Sequence, residues 1–177
     1  MAQLSGVALV GDVGGTNARL SLVNLADGSL SNTIIYSSVD NESLELVIKK
    51  YREDSGVSFD SACIAIACPV NGDYIKMTNN PWEFSISQMK QNLGLKDLVF
   101  INDFTAMSMC TTAIDIKDMT QVGGDTIDPK APKAIYGAGT GLGVGYLINV
   151  NDKWIPLSTE GGHVDPSATT SRQDDIL

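Results

Sequence analysis

The chain has 177 residues, 43% hydrophobic and 19% charged, with a formal net charge of −9 and an isoelectric point near 4.4. That is enough apolar material for a buried core, and enough length for one domain or one domain and a fragment. The acidic balance, with no Lys/Arg cluster against it, excludes a nucleic-acid backbone as partner. A nucleotide stays open, because backbone N–H groups and a divalent cation can hold phosphates without a basic patch.

The N-terminal segment carries no basic region ahead of Arg19, and the apolar run Val7–Val10 is too short for a leader or a membrane span. Cys63, Cys68 and Cys110 are odd in number and sit in apolar contexts, which predicts reduced core thiols in a cytoplasmic protein. A lone histidine, His163, is too little for a Cys/His metal centre.

Residues 6–13 read as a buried strand and 18–25 as a second, joined tightly by Gly14-Gly15-Thr16-Asn17, so a hairpin is predicted. A further turn at Ala26–Ser29 leads to a third strand, 30–37, completing an antiparallel meander. Leu44, Val47, Ile48 and Tyr51 make one apolar stripe of a helix near 42–53, with Gly56 at its exit. Residues 62–67 are apolar on both faces, the pattern of a strand covered by helices on both sides. Asn71-Gly72 marks a hairpin turn. Ser85 to Gln88 has capping-box spacing and opens a helix that Gly94 can close. A strand at 98–101 and a helix from Asp103 to about Thr112 follow, giving a mixed-sheet α/β layout. Residues 115–133, with Gly123-Gly124, Pro129 and Pro132, read as an inter-domain passage. Strands at 134–138, 144–150 and 153–157 come next, and 169–177 looks like a helix barely begun. The expected organisation is a small domain, 1–112, and the opening part, 113–177, of a larger one.

Residues 8–23 and 134–150 share one pattern, strand, glycine-rich turn, strand. Each turn offers backbone N–H groups unobstructed by Cβ, a nest for phosphate oxygens, and two such hairpins facing each other would make a clamp. A P-loop is absent, and Gly139-Thr140-Gly141 feeds a strand rather than the helix that a dinucleotide fingerprint requires.

Five segments stand in a characteristic order: Gly11 to Arg19 (GDVGGTNAR), Thr78-Asn79 with Trp82, Ile101 to Ala106 (INDFTA), Tyr136 to Gly143 (YGAGTGLG), and Glu160 to Asp165 (EGGHVD). Together they resemble the bacterial glucokinases of the hexokinase/actin-like superfamily over nearly the whole chain. The resemblance implies an α/β actin-like (ribonuclease H-like) mixed sheet with flanking helices, and the beginning of a second α/β domain. It implies ATP-dependent phosphorylation of glucose at its 6-hydroxyl, the entry to glycolysis, by a cytoplasmic homodimer. Asp103 would be the general base, with a helix N-terminus favouring its ionised form. Asn79, Asn102, Asp103, Gly141, Glu160 and His163 would meet the sugar, with Gly161-Gly162 letting the backbone turn so that Glu160 and His163 face one ligand. Gly11, Asp12, Val13, Gly14, Gly15 and Thr16 would form the first phosphate site and Gly139, Thr140 and Gly141 the second, with Asp12 ordering Mg²⁺ through water. Arg19 belongs to the same motif or serves as a charge partner, and Trp82 is read as packing.

Relatives carry a further sugar-binding glutamate and an adenosine-holding glycine pair beyond the compared segments, so weak or no activity is expected of these 177 residues alone. Pro166 stands where relatives usually have an aromatic residue. Rival readings are a repressor–kinase (ROK) family enzyme, a kinase for another hexose or an N-acetylhexosamine, a non-catalytic sugar sensor on the same fold, and an actin-like ATPase module. The first is disfavoured because no cysteine follows His163.

Overall fold

The computed structural model describes residues 6–124, 126, 128–138, 142–157, 159 and 161–163. The chain divides into two compact units, Met1–Ala106 and Met107–Leu177.

In the first unit, alternation of apolar and polar residues builds β1 (Val7–Val13), β2 (Asn17–Asn24) and β3 (Leu30–Ser37) as the expected meander. Helix α1 (Leu44–Ser55) starts two residues later than its pattern predicts, because Ser43 takes the N-cap and accepts from the Leu46 N–H. Its buried stripe is Leu44, Val47, Ile48 and Tyr51, and Gly56 ends it in the left-handed region at φ 66°. Strand β4 (Ser61–Ile66) then returns parallel to β1.

A hairpin at Asn71-Gly72 does not form. The strand that follows, β5 (Tyr74–Lys76), pairs forward with β6 (Glu83–Ser85), not back with β4. The reversal lies at 77–82, where Asn80 Oδ1 accepts the Trp82 N–H at 2.6 Å and the Met77 N–H donates to the Trp82 carbonyl at 3.0 Å. An asparagine turn after a buried Met77 outcompetes the Asn-Gly signal.

Ser85 caps α2 (Ile86–Asn92) through the Gln88 N–H. The capping box is only half made among the described residues: the Gln88 side chain accepts no bond from the Ser85 N–H, and its amide nitrogen donates to Asn92 Oδ1. Strand β7 (Asp97–Asn102) lies parallel to β4, and α3 (Asp103–Cys110) follows without a break.

The five-stranded sheet has the order β3-β2-β1-β4-β7. One face, with Leu9, Val13, Leu20, Leu22, Ile64, Ile66 and Phe100, packs on α1 and α2 in a single core. The expectation that β4 is covered on both sides is met only in part among the described residues: its residues alternate between buried and half-buried, and Val99 of neighbouring β7 is half exposed. The open face is the one that carries Asp12 and Arg19. Cys110 is also not a core residue, being exposed at the end of α3, whereas Cys68 is buried; all three thiols are free.

The second unit contains a 3-10 turn at Ile116–Asp118 and an antiparallel sheet of β8 (Lys133–Ala138), β9 (Leu142–Val150) and β10 (Lys153–Leu157), ordered β10-β9-β8. Asn151 and Asp152, both at positive φ, make the tight turn between β9 and β10. A 3-10 turn, Gly161–His163, packs against β9. The expected terminal helix lies outside the described residues. Among those residues no helix is long and apolar enough to cross a membrane.

Candidate functional site

Three parallel strands end at one level: Val13 of β1 is in register with Ile66 of β4, and Ile66 with Asn102 of β7. Ligands of open α/β sheets gather at such carboxyl ends. Here that edge carries Asp12 with the β1–β2 turn, Cys68, and the Asn102-Asp103 pair.

The helix that follows β7 is capped by Asn102, not Asp103. Asn102 Oδ1 accepts the Phe104 N–H at 2.9 Å and the Thr105 N–H at 3.1 Å, filling two of the orphan donors of α3. Its amide nitrogen donates to Asp103 Oδ1 at 3.0 Å and, more weakly, to the Cys68 carbonyl at 3.4 Å. Asp103 Oδ1 also accepts from the Phe104 N–H at 2.9 Å, while Oδ2 has no donor among the described residues. Asp103 is therefore steered by one oxygen and open at the other.

The direction of its proton affinity differs from the expectation that the helix terminus favours the ionised form. Burial pushes the Asp103 carboxyl above its ordinary value and the charge of Asp12 adds to the rise; hydrogen bonds from Phe104 and Asn102 pull the other way and do not win. The neighbouring Cys68 thiol is likewise pushed up, by burial first and then by the Asp103 charge. Cys68 is a neighbour that no sequence pattern flagged.

The turn between β1 and β2 is organised around Ser38. The Gly14 N–H closes the hairpin on the Asn17 carbonyl at 2.9 Å. Of the Gly14, Gly15 and Thr16 amides, those of Gly15 and Thr16 have no acceptor among the described residues. Gly15 is pressed against Asn79: a Cβ there would sit 2.8 Å from Asn79 Cβ and 2.9 Å from its carbonyl oxygen. The turn and the Asn79 segment are thereby brought together. Trp82 is packed, 2% exposed with its indole N–H donating to the Asn41 carbonyl at 2.9 Å.

Gly11 and Val13 face the core rather than the edge. A Cβ at Gly11 would meet Ile64 and Leu20 side chains at under 3 Å, so this glycine answers to packing, and Val13 is fully buried. Asp12 points to the open face, where its Oδ2 accepts from Arg19 across the β1–β2 ladder at 3.3 Å. Both side chains are more than half exposed, so the pair contributes little to stability. An exposed carboxylate with an unpaired oxygen suits Mg²⁺, which keeps most of its waters and takes one or two carboxylates beside substrate phosphates. The unpaired Gly15 and Thr16 amides suit a phosphate.

In the second unit Gly139, Thr140, Gly141 and Glu160 lie outside the described residues. The strands on either side of 139–141 do form an antiparallel hairpin, with Ala138 opposite Leu142. The backbone of His163 closes the 3-10 turn that begins at Gly161. The expectation that Gly161-Gly162 turns Glu160 and His163 toward one ligand falls on Glu160, outside the described residues; at Gly162 the φ is not positive, and a Cβ would overlap the Leu142 carbonyl.

The sequence model of the glucokinase family matches residues 9–177. The glucokinase of Yersinia enterocolitica is 53% identical over 174 residues, covering 98% of this chain and 54% of the relative, so the chain spans about half the length of the curated relatives it matches. A crystal structure of glucokinase from an Antarctic psychrotroph superposes with a TM-score of 0.82 at 29% identity, over 96% of this chain and 55% of that one. A ROK family glucokinase from Streptomyces griseus, solved with glucose and AMPPNP, superposes at 0.56 and 18% identity over 85% of this chain and 46% of that one, a likeness of fold alone. The mixed sheet is that of the actin-like sugar kinases, and on the match over residues 9–177 the chain belongs to the glucokinase family.

Proposed function

We propose that a polypeptide carrying this chain transfers the γ-phosphoryl group of ATP to the 6-hydroxyl of glucose, with Asp103 as general base. The observation that carries this is the Asp103 carboxylate, held by Asn102 and the Phe104 N–H at Oδ1, with no donor at Oδ2 among the described residues, and made more basic by burial beside the turn whose Gly15 and Thr16 amides have no acceptor among those residues. In the reaction the 6-hydroxyl proton passes to Asp103 Oδ2 and the hydroxyl oxygen bonds to the γ-phosphorus. The bond from that phosphorus to the β–γ bridging oxygen breaks, releasing ADP. Such transfers are loose and need positioning more than a strong base, and a positioned base is worth about 10²–10⁴-fold.

Asp12 would hold Mg²⁺ through water, and the ion would neutralise charge on the β- and γ-phosphates. Asn79, Asn102, Glu160 and His163 would bind sugar hydroxyls, and Gly139, Thr140 and Gly141 further phosphate oxygens. A groove that pairs each hydroxyl rejects sugars lacking one. Residues 1–112 and 113–177 would belong to the small and large domains of a cytoplasmic, dimeric enzyme. The names of the relatives and the glucose and AMPPNP complex of the Streptomyces griseus protein support the choice of substrates.

The test is a coupled ATP/glucose assay on the full-length polypeptide, wild type beside Asp103→Ala. A rate that falls at least about 10²-fold while glucose still binds is expected. An unchanged rate removes Asp103 from the mechanism, and a wild type inert toward every hexose favours a sugar sensor.

A further inference from the structure

Ser38 follows the end of β3 and is 1% exposed, yet it is polar and belongs to no sequence motif. Both of its donors are used on the β1–β2 turn. The side-chain hydroxyl donates to the Gly14 carbonyl at 3.2 Å, and the backbone N–H donates to the Thr16 carbonyl at 2.8 Å. In a trans peptide the C=O and the N–H point in opposite directions. The Gly14 carbonyl and the Gly15 N–H belong to the same peptide unit, so drawing the carbonyl onto Ser38 turns the Gly15 N–H away from the core. That N–H is one of the two amides of the turn without an acceptor among the described residues.

We propose that Ser38 is a positioning residue that aims the Gly15 N–H at a nucleotide phosphate. The inference rests on the reading of this turn as a phosphate site. The segment that follows Ser38 braces the turn a second time. The Asn41 carbonyl holds the indole N–H of Trp82, and the Trp82 loop presses Asn79 onto Gly15. The 38–41 segment thus grips the turn from behind and, through Trp82, from the side. A donor fixed before the ligand arrives needs no reorganisation to bind it, which is where such a group contributes affinity.

The experiment measures ATP binding by calorimetry, without sugar, on the full-length polypeptide as wild type and Ser38→Ala. Glucose binding on the same samples is the control, and the Gly15 amide resonance is followed during ATP titration. Loss of one neutral hydrogen bond should weaken ATP binding about 2- to 10-fold, leave glucose binding unchanged, and shrink the shift of the Gly15 resonance. Unchanged ATP affinity overturns the proposal. So does an equal loss for ATP and glucose, which marks a general loosening, or a Gly15 resonance that ATP does not move in the wild type. A wild type that binds ATP but phosphorylates no hexose refutes the kinase reading and leaves the role of Ser38 legible in binding. A wild type that binds no ATP refutes both.

Discussion

Gly14 and Gly15 look interchangeable in sequence, but alanine should have opposite effects at the two positions. At Gly14 a Cβ meets nothing nearer than the Asn17 carbonyl at 3.8 Å, an ordinary contact, and the backbone is not left-handed. Alanine there restricts the unfolded chain without straining the folded one, worth about 0.4–1 kcal/mol of stability. At Gly15 the same atom lands 2.8 Å from Asn79 Cβ and 2.9 Å from the Asn79 carbonyl oxygen, where 3.4–4 Å is ordinary contact. Neither partner can give way easily. The Asn79 loop is tied by Trp82 to Asn41 and by the Met77 N–H to the Trp82 carbonyl, and the turn is tied to Ser38 on both sides of Gly15. Overpacking of this kind costs about 1–3 kcal/mol. For a unit ending at Ala106, each kcal/mol is worth about 4–8 °C in Tm. Thermal unfolding followed by circular dichroism should therefore place Gly15→Ala at least about 4 °C below wild type, with Gly14→Ala at or above it. Two variants melting together, or Gly14→Ala melting lower, would show that the Asn79 contact does not constrain the turn.

The raised carboxyl of Asp103 has a consequence for stability. Its folded value lies above its unfolded one, so its ionisation opposes folding, and the penalty grows as pH rises from the ordinary carboxylate range through the folded value. Asp103→Asn should raise Tm at pH 7 and lose that advantage below the unfolded carboxylate value; a variant no more stable than wild type at pH 7 contradicts the burial argument. In the second unit, Gly162→Ala drives a Cβ into the Leu142 carbonyl, and backbone cannot swing aside as a side chain does. We expect about 1–3 kcal/mol of destabilisation and faster amide exchange along Leu142–Val150; unaltered exchange there would show that the 3-10 turn does not need to lie on β9.

Much of the first unit was legible because its signals are local and repeat. The stripe Leu44, Val47, Ile48 and Tyr51 specified α1, and Gly56 its end. The meander followed from alternation and two turn signals. What failed depended on partners distant in the chain. Asn71-Gly72 resembles a hairpin turn, but which strand Tyr74–Lys76 joins was decided by Asn80 and Trp82. The apolar second face of β4 promised a covering layer that the described residues do not supply. Ser38 was invisible because a single buried serine has no period and no spacing. The site motifs were readable as a set, but the cause of each glycine was not: Gly11 and Gly162 are there for close packing, Gly15 for contact with Asn79.

The Asn102-Asp103 order shows why the pair cannot be understood one residue at a time. A helix N-terminus presents unpaired N–H groups and a positive dipole end, which would stabilise any carboxylate placed there and lower its basicity. Asn102 takes hydrogen bonds at that terminus before Asp103 does. Being neutral, it takes the Phe104 and Thr105 N–H groups without gaining from the field, and its amide turns one Asp103 oxygen into a fixed acceptor. The bonds Asp103 does receive, from the Phe104 N–H, its own N–H and the Asn102 amide, do not offset its burial, and its basicity rises. Asp12 then adds a like charge from β1, at the same end of the sheet. The strand register that brings Val13, Ile66 and Asn102 level is thus a chemical requirement as well as a packing one. It sets how far Asp12 stands from Asp103, and a slip of one residue would turn Asp12 into the core and take its charge away from the base.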